Sequence, residues 1–409
     1  MKKIAIVSLG YMWFPCESGP SRFYQIAKTF VDSGYEVEVI TTDFQHFKKA
    51  PRDQKKILSE NYPFKITFIE TPPYKKNVDF RRVLSNRTAE KNLRKYLNRH
   101  VDGYDVVYTS IPANNVAAAV TVVCKAHNVP CVVDVEDLWP EAMSMVIKND
   151  TIRNVALKGF LRDAETAYRN CSGVIGTSDD YTARAFKNQR RDIPNTTVYV
   201  GVNLKDFDDG VEQYKDEIEK SEGEFWITYT GSISTSYDIK TLILAAQKLA
   251  KEGHPEVKVQ LLGTGSLKDE LEQFAKDNHI DNVKFWGFTM YPKMAAVLSK
   301  SDVAINSFVK GAPQSIVNKV GDYLASGKAM INTLENPVFC NLVKRGQCGV
   351  NIEPENVDVL ENAILDLEQN EEKRLEMGKN ARKLGEEEFD RAVSYKKIVK
   401  LTEKVMDNH

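Results

Sequence analysis

The feature that most constrains the fold of this chain is an alternation of short apolar runs with segments of helical periodicity. Residues 3–8 are apolar enough to form a buried strand. A helix is expected next, because apolar residues recur at helical spacing between Pro20 and Gly34. Residues 36–42 then alternate as a second strand. Strand, helix and strand in this order predict a βαβ unit with parallel strands.

The alternation runs twice along a chain of 409 residues, which is too long for one ordinary core. The first series covers 1–205 and the second 225–389, and we interpret the polar, acidic stretch 206–224 as a linker. An amphipathic segment at 390–409 predicts a last helix that crosses back to the N-terminal domain. The pattern predicts an α/β fold of two Rossmann-like domains whose parallel sheets face a central cleft. Ligands of such sheets bind at the carboxyl ends of the strands, so this cleft is the expected site.

Composition and spacing exclude several classes of protein. No run approaches the roughly 18–20 apolar residues that cross a bilayer, and the first apolar run ends at Gly10 without a signal-peptide cleavage site. The six cysteines stand singly, which predicts reduced thiols in a cytoplasmic protein. His, Cys and carboxylate residues show no metal-ligand spacing, and no nucleic-acid motif is present. We therefore expect neither a bound metal nor a nucleic-acid partner.

Charge is distributed unevenly along the chain. Residues 1–200 hold 29 Lys and Arg against 22 Asp and Glu, whereas the remainder holds 27 against 35. The basic excess concentrates in 75–99, which has nine basic and two acidic residues. Such a face attracts an anionic membrane surface or another polyanion, and the alternative is an ordinary solvated helix face.

Two segments of the first domain carry candidate functional groups. Gly19, Ser21 and Arg22 lie where the first loop enters its helix, and glycine and a helix N-terminus both favour a bound anion; a plain turn is the alternative. Residues 134–141 (DVEDLWPE) follow a strand and hold four carboxylates, which are costly to bury unless they are paired or used. Helix capping by Asp137 would explain part of this cluster, and Glu136 is the second candidate.

Glycines also follow two strands of the second domain. Gly231 and Ser232 come directly after one strand, and Gly263 and Gly265 come directly after another. The carboxyl ends of parallel strands share one sheet edge, so these loops predict backbone N–H groups that hold a phosphate or a sugar.

The strongest pattern lies at residues 308–328. A Gly/Pro loop leads into a predicted helix with its N-terminus near Ser315, which favours an anion. Lys319 comes one turn into this helix and Asp322 one turn further on the same face. A cation beside a diphosphate stabilises the charge that develops on this leaving group. The alternative is a surface Lys–Asp pair worth under ~1 kcal/mol.

At this segment the chain resembles the donor-site signature of glycosyltransferase family 4, whose members are retaining enzymes of GT-B fold. Residues 317–328 (VNKVGDYLASGK) are similar to the pattern P-x-K-x-x-E-Y-(L/M)-A-x-G-(K/R). Residues 136–141 (EDLWPE) resemble a stretch in members that build bacterial surface polysaccharides. Residues 19–22 (GPSR) resemble the acceptor-side loop GG-x-x-R, and 200–203 (VGVN) stand where N-G-V-D closes the first domain. The resemblance covers nearly the whole chain.

The chain also departs from the family pattern. The family's two carboxylates, E-x7-E, are Gln314 and Asp322 here. The Arg and Lys that many members place after the first strand of the donor domain fall at Ser232 and Tyr237. Diphosphate charge is therefore expected to rest more on Lys319 and on backbone amides, with Arg22 as a further candidate.

The resemblance assigns expected roles to three sets of residues. The expected catalytic residues are Lys319, Asp322, Gln314, Glu136 and Asp137. The expected donor-binding residues are Gly231, Ser232, Gly263, Gly265, Gly287, Phe288, Gly311, Ser315 and Asn318. The expected acceptor-binding residues are Gly19, Ser21 and Arg22.

The resulting hypothesis is a retaining, metal-independent glycosyltransferase of the cytoplasm, peripheral on the inner face of the cell membrane. It would move a sugar, for which an N-acetylated hexose is one candidate, from a UDP-sugar to a lipid-linked or glycan acceptor in surface polysaccharide synthesis. The nucleotide sugar is a substrate, and no cofactor is expected. Two alternatives are a UDP-sugar epimerase of GT-B fold, against which the scarcity of His argues, and a non-catalytic nucleotide-sugar-binding partner protein, which Gln314, Ser232 and Tyr237 favour.

Overall fold

The computed structural model describes residues 1–18, 21–76, 80–139, 141, 150–189 and 191–409, with the side chains of 18 and 150–156 left aside. These residues form two compact units. Unit 1 comprises Met1–Val198 and Tyr395–His409, and unit 2 comprises Tyr199–Ser394. Each unit has a parallel sheet interleaved with helices. The structure thus has the predicted α/β class with two Rossmann-like domains.

The sheet of unit 1 has seven parallel strands in the order β5-β2-β1-β6-β7-β8-β9. Its strands are β1 (Lys3–Val7), β2 (Glu36–Thr42), β5 (Lys65–Ile69), β6 (Val106–Ile111), β7 (Cys131–Val135), β8 (Gly173–Gly176) and β9 (Asn195–Thr197). A short antiparallel pair, β3 (Phe44–Gln45) and β4 (Ala50–Pro51), follows β2. Alternate residues of β1 enter opposite core clusters, with Ile4 and Ile6 in one and Ala5 and Val7 in the other. Burial on both faces explains why this strand is apolar throughout.

Helices cover the sheet of unit 1. They are α1 (Pro15–Ser18), α2 (Arg22–Asp32), α3 (Gln54–Ser59), α4 (Phe80–His100), α5 (Asn114–Ala126), α6 (Asp150–Asn170) and α7 (Asp179–Arg184). The C-terminal helix (Lys396–Asp407) also belongs to this unit. Its apolar stripe, which includes Ile398, Leu401 and Val405, joins the same core cluster as Ile4. None of the helices within the described ranges is both long and apolar enough to cross a bilayer.

The sheet of unit 2 has six parallel strands in the order β12-β11-β10-β13-β14-β15. They are β10 (Phe225–Thr230), β11 (Val257–Leu262), β12 (Val283–Gly287), β13 (Val303–Asn306), β14 (Ala329–Asn332) and β15 (Gly349–Asn351). Its helices are α8 (Leu204–Tyr214), α9 (Ile239–Lys251), α10 (Lys268–Asp277), α11 (Tyr291–Lys300), α12 (Lys319–Ala325), α13 (Pro337–Gly346), α14 (Val357–Gln369), α15 (Glu371–Leu384) and α16 (Arg391–Ser394). Core clusters lie on both faces of this sheet, with Trp226 in one and its neighbour Ile227 in the other.

Most of the acidic stretch interpreted as a linker, 206–224, is ordered structure within unit 2. Helix α8 and a 3₁₀ turn at Lys215–Glu217 occupy much of it. Leu204 and Phe207 recur at helical spacing, and together with Ile218 they enter the core of unit 2 beside residues of α11. The polar composition therefore reflects the exposed face of a packed helix, whose narrow apolar stripe is less conspicuous in the sequence.

Candidate functional site

A pocket of about 480 Å³ opens at the carboxyl edge of the sheet in unit 2. The residues that line it come from the ends of β10 and β11, from the segment after β12, and from α11 and α12. They are Thr230, Gly231, Ser232, Leu262, Gly263, Thr264, Phe288, Thr289, Met294, Lys319 and Asp322. The pocket thus brings together side chains separated by about ninety positions in the sequence.

Two glycine loops form the back of this pocket through close backbone contacts. Gly263 donates its N–H to Gly287 O at 2.8 Å and has φ +143°, a conformation that favours glycine. A Cβ atom at Gly263 would lie 1.8 Å from Gly231 O, and one at Gly265 would lie 2.1 Å from Ile233 O. Only glycine therefore fits at either position, and the loops after β10 and β11 are held edge to edge.

Lys319 begins helix α12, and its amino group has no anionic partner among the residues that the structure describes. Its Nζ is buried and forms no hydrogen bond with any residue that the structure describes. It lies 4.0 Å from the ring centroid of Tyr229, 4.1 Å from that of Tyr237 and 5.3 Å from that of Phe308. Burial lowers the pKa of Lys319 well below its usual range. A cation without a counter-ion at a pocket wall is suited to receiving an anionic ligand.

Asp322 lies one turn along α12 from Lys319 and also lines the pocket. Its Oδ1 accepts a 2.9 Å hydrogen bond from the hydroxyl of Tyr291 at the start of α11. Burial raises the pKa of Asp322 to about 6, against the opposing effects of this hydrogen bond and of Arg391. At neutral pH the group is a carboxylate, which accepts hydrogen bonds from hydroxyl groups of a ligand.

The segment before α12 differs from the predicted one, because the helix begins at Lys319 and not at Ser315. The preceding residues form a loop, in which the N–H of Gly311 donates to a carboxylate oxygen of Glu335 at 2.8 Å. Ser315 is buried, and Asn318 is exposed and precedes the helix without a side-chain capping bond. Lys319 therefore lies in the first turn of the helix.

The structure separates the predicted catalytic and donor-binding residues of unit 2 into three groups. Gly231, Ser232, Gly263, Phe288, Lys319 and Asp322 line the pocket. Gly265 and Gly287 support its loops through their backbone contacts. Gly311, Gln314, Ser315 and Asn318 are not among the residues that line it.

Gln314 differs from its neighbours in the loop, because its Oε1 is buried and lacks a hydrogen-bond partner among the described residues. The sequence analysis missed the aromatic rings around Lys319 and the partner of Asp322, Tyr291. Their only signal in the sequence is that tyrosines flank the glycine loop and open the helix after β12.

The candidate residues of unit 1 form a separate buried ion-pair network. Arg22 Nε and Nη2 each donate to Asp134 Oδ2 at 3.1 Å, and Nε lies 3.2 Å from Glu136 Oε1. Arg22 Nη1 also donates to the hydroxyl of Tyr395 at 3.3 Å, and the hydroxyl of Tyr108 donates to Asp134 at 2.6 Å. The guanidinium of Arg22, predicted to bind an acceptor, is thus engaged by internal partners.

The remaining candidates of unit 1 have mixed environments. Burial and the charge of Asp134 raise the pKa of Glu136 to about 8, although Arg22 opposes this shift. Asp137 accepts from the indole N–H of Trp139 at 3.1 Å, and burial raises its pKa. Ser21 caps α2 by accepting from the N–H of Tyr24. Gly19 lies outside the described residues, and the acceptor-binding role of all three loop residues stays a prediction.

A second, small pocket of about 60 Å³ lies at the carboxyl edge of the sheet in unit 1. Its lining includes Tyr11, His46, Tyr74, Arg82 and Trp139. The hydroxyl of Tyr74 is hydrogen-bonded to Nδ1 of His46, and burial lowers the pKa of His46 to about 4, so this ring is neutral at physiological pH. The sequence analysis did not identify these residues, because they come from five separate segments.

Both halves of the chain match models of known families. Residues 21–206 match Glycosyltransferase Family 4, and residues 210–384 match Glycosyl transferases group 1. Two Rossmann-like units with a glycine-lined pocket in the second are the architecture of GT-B glycosyltransferases. The chain belongs to this class, within glycosyltransferase family 4.

Individual relatives agree with this assignment. An uncharacterized glycosyltransferase of Methanocaldococcus jannaschii is 23% identical over 218 residues, which are 53% of this chain and 54% of that protein. The chain thus matches about half the length of this relative. HepE of Anabaena, solved in complex with UDP, has a TM-score of 0.71 and 17% identity, with 99% and 100% of the two chains covered. WaaG, a glycosyltransferase involved in lipopolysaccharide biosynthesis, has a TM-score of 0.67 and 15% identity, with 98% and 99% covered.

Proposed function

We propose that this chain is a retaining, metal-independent glycosyltransferase that takes its sugar from a UDP-linked donor. The observation that carries the proposal is the presence, in one pocket, of the unpartnered amino group of Lys319 and the carboxylate of Asp322. A nucleoside diphosphate offers the complement of both groups, because it has an anionic diphosphate and a ribose with hydroxyl donors. HepE, whose fold is similar, was solved in complex with UDP.

In this proposal the diphosphate lies against Lys319 and the backbone at Gly231. The ammonium stabilises the charge that develops on the departing diphosphate, which is the task that a metal ion performs in other transferases. Asp322 accepts from the ribose, and uridine lies beside the loop at Gly263 and the exposed ring of Phe288. Gln314, with its unpaired Oε1, is proposed to contact the sugar. Retention follows from attack on the same face from which the diphosphate departs.

The acceptor is proposed to be a lipid-linked or glycan chain of a bacterial surface polysaccharide, with an N-acetylated hexose as one candidate for the sugar transferred. The stretch 136–141 and the similarity in fold to WaaG support this choice. Acceptor binding is assigned to unit 1, where Glu136 and Asp137 lie at the carboxyl end of β7. At neutral pH Glu136 is partly protonated, so it can donate as well as accept a hydrogen bond.

A membrane surface is proposed to bring the acceptor to the enzyme. The start of α4 exposes Phe80 and Leu84, with 76% and 53% of their surfaces accessible, beside the basic residues Arg81 and Arg87. Exposed apolar residues among cations are suited to the interface of an anionic bilayer. This contact would place the protein on the inner face of the cell membrane.

Thermal-shift measurements against a panel of nucleoside diphosphates test the donor site. UDP is expected to raise the melting temperature selectively, whereas equal effects of all diphosphates, or none, would reject a uridine site. Lys319→Ala is expected to lower transfer by about 100-fold. Lys251→Ala, which removes an exposed lysine at the end of α9 and away from the pocket, is the matched control and should leave transfer unchanged.

Incubation of the purified protein with a UDP-sugar distinguishes a transferase from an epimerase and from a non-catalytic partner protein. An epimerase would convert a UDP-sugar without any acceptor, so a new UDP-sugar in that reaction would contradict the transferase proposal. A non-catalytic partner protein would bind UDP-sugar without transferring the sugar to any acceptor extract.

A further inference from the structure

We propose that Tyr229, Tyr237 and Phe308 form an aromatic cage that positions Lys319 Nζ for the donor diphosphate, so that donor binding is accompanied by proton uptake on this lysine. The inference rests on the proposed function, because it concerns the same pocket. It assigns the three rings as positioning residues and gives donor binding a pH dependence that simple charge pairing would lack.

The geometry of the three rings defines the cage. The ring centroids of Tyr229 and Tyr237 are 5.9 Å apart, and those of Tyr237 and Phe308 are 4.8 Å apart. All three lie within about 6 Å of Lys319 Nζ, the range in which a ring face attracts a cation. The hydroxyl of Tyr229 donates to Ser232 O at 2.6 Å, which fixes this ring against the glycine loop.

No carboxylate of the surrounding elements pairs with Lys319 among the described residues. The titratable side chains on the elements packed around it are Tyr229, Tyr237, Asp238, Lys310, Asp322 and Tyr323. Asp238 accepts from the N–H groups of Thr241 and Glu355, and Asp322 accepts from Tyr291. Tyr323 is hydrogen-bonded to the backbone of Thr230. The rings therefore attract the ammonium without neutralising it.

This arrangement links donor binding to a proton. Burial without a counter-ion favours the neutral amine when the pocket holds no anion, which agrees with the lowered pKa of Lys319. A diphosphate against Nζ favours the ammonium, so a proton enters with the donor. Linkage then requires that affinity fall by up to about tenfold per pH unit wherever the unliganded amine is neutral and the liganded one is charged.

Calorimetry with UDP-glucose measures this proton directly, because the donor's own phosphates stay ionised at pH 7.0–8.5. Titrations in HEPES and in Tris, which differ in ionisation enthalpy and contain no phosphate to compete for the site, give the number of protons taken up. The wild type is expected to take up a proton fraction that approaches one, with affinity that falls as the pH rises. Lys319→Gln should take up none and should lose the pH dependence.

Substitutions in the aromatic cage test whether its rings position Lys319 Nζ or only fill space around it. Tyr237→Leu removes one ring and admits water to Nζ, so proton uptake is expected to fall by at least half, whereas Tyr237→Phe keeps the ring and should behave like the wild type. Equal proton uptake in wild type and Tyr237→Leu would overturn the cage, as would binding by the wild type without any uptake. Wild type and Lys319→Gln decide the proton linkage even where Tyr237→Leu fails to fold. Absence of wild-type binding to both UDP-glucose and UDP would instead reject the proposed function itself.

Discussion

The hydroxyl of Tyr291 donates a 2.9 Å hydrogen bond to Oδ1 of Asp322, and this bond joins the first residue of α11 to a pocket-lining residue of α12. Because the bond stabilises the carboxylate, it limits the rise in pKa that burial causes. The two residues therefore set the pH at which the pocket loses the carboxylate that is proposed to accept from ribose hydroxyls.

The first prediction concerns the pH dependence of the contribution of Asp322. Its pKa of about 6 means that the carboxylate predominates above pH 7 and the neutral acid below pH 5. The dissociation constant of Asp322→Asn for UDP-glucose, divided by that of the wild type, is expected to be about 10 above pH 7, since a hydrogen bond to a charged group is worth roughly 1.5 kcal/mol or more. The ratio should approach 1 below pH 5.

The ratio of the two dissociation constants reports the contribution of Asp322 alone, since the wild type and Asp322→Asn both keep Lys319. Tyr291→Phe removes the hydrogen bond, so the decline of the ratio should begin at a higher pH. A ratio that stays constant between pH 5 and pH 8 would contradict an ionised Asp322 in donor binding.

The second prediction is that Lys319→Met stabilises the protein while it lowers transfer by about 100-fold. The folded-state pKa of Lys319 lies below that of the unfolded chain, so the unfolded state binds more protons and stability rises with pH up to about 10. At pH 7 the buried amine is therefore a cost that Met removes. We expect the melting temperature to rise by about 2–4 °C for each kcal/mol that the substitution adds to the free energy of unfolding. This gain should shrink as the pH approaches 10.

Scanning calorimetry measures this shift, and Lys310→Met at the exposed neighbour should leave the melting temperature unchanged. A lower melting temperature for Lys319→Met would mean that the ammonium is satisfied in the absence of a ligand.

The third prediction concerns the ion pair between Arg22 and Asp134. The side chain of Asp134 has no exposed surface, and 5% of the Arg22 side chain is exposed. Arg22→Met leaves two buried carboxyl groups, Asp134 and Glu136, without their cation. Breaking a buried pair in this way costs about 3–5 kcal/mol. Urea denaturation followed by circular dichroism should show this loss, whereas Lys205→Met, which breaks an exposed pair, should cost less than ~1 kcal/mol. A loss below ~1 kcal/mol for Arg22→Met would show that the network contributes little to unit 1.

The fourth prediction concerns the glycine loops of the donor pocket. Gly263→Ala places a Cβ atom 1.8 Å from Gly231 O, which forces the two loops apart. We expect a folded protein that has lost most of the stabilisation by UDP in a thermal-shift assay. Gly103→Ala is the control, because nothing lies within 4 Å of its Cβ position. An unchanged UDP response in Gly263→Ala would show that the donor does not use these loops.

The fifth prediction concerns the basic start of α4. Reversing the charges of Arg81 and Arg87 to Glu is expected to weaken flotation with phosphatidylglycerol vesicles by at least ~10-fold, since each basic residue near an anionic surface contributes ~1 kcal/mol. Phe80→Ser should weaken it further, and the double reversal of Lys251 and Lys379 to Glu on unit 2 serves as a charge-matched control. Flotation that is insensitive to these reversals would contradict a membrane contact through α4.

Local sequence patterns predicted much of the architecture. The apolar runs of β1 and β10 are readable because a parallel strand buried on both faces must be apolar along its length. The glycines of the donor loops were also identifiable, since backbone crowding at 263 and 265 permits no other residue. By contrast, helix α8 was interpreted as a linker, because its few apolar residues are scattered among many charges.

The sequence by itself determined the fold class and the family, and it indicated Lys319 and Asp322 as candidate site residues, because each depends on residue type at short spacing. The tertiary structure alone decided what surrounds these groups, since burial and ring contacts arise between segments that are remote along the chain. It enclosed Lys319 with rings from three segments, and it engaged Arg22 with buried carboxylates. Charge and pKa depend on such surroundings, so they could be assigned only after the chain was folded.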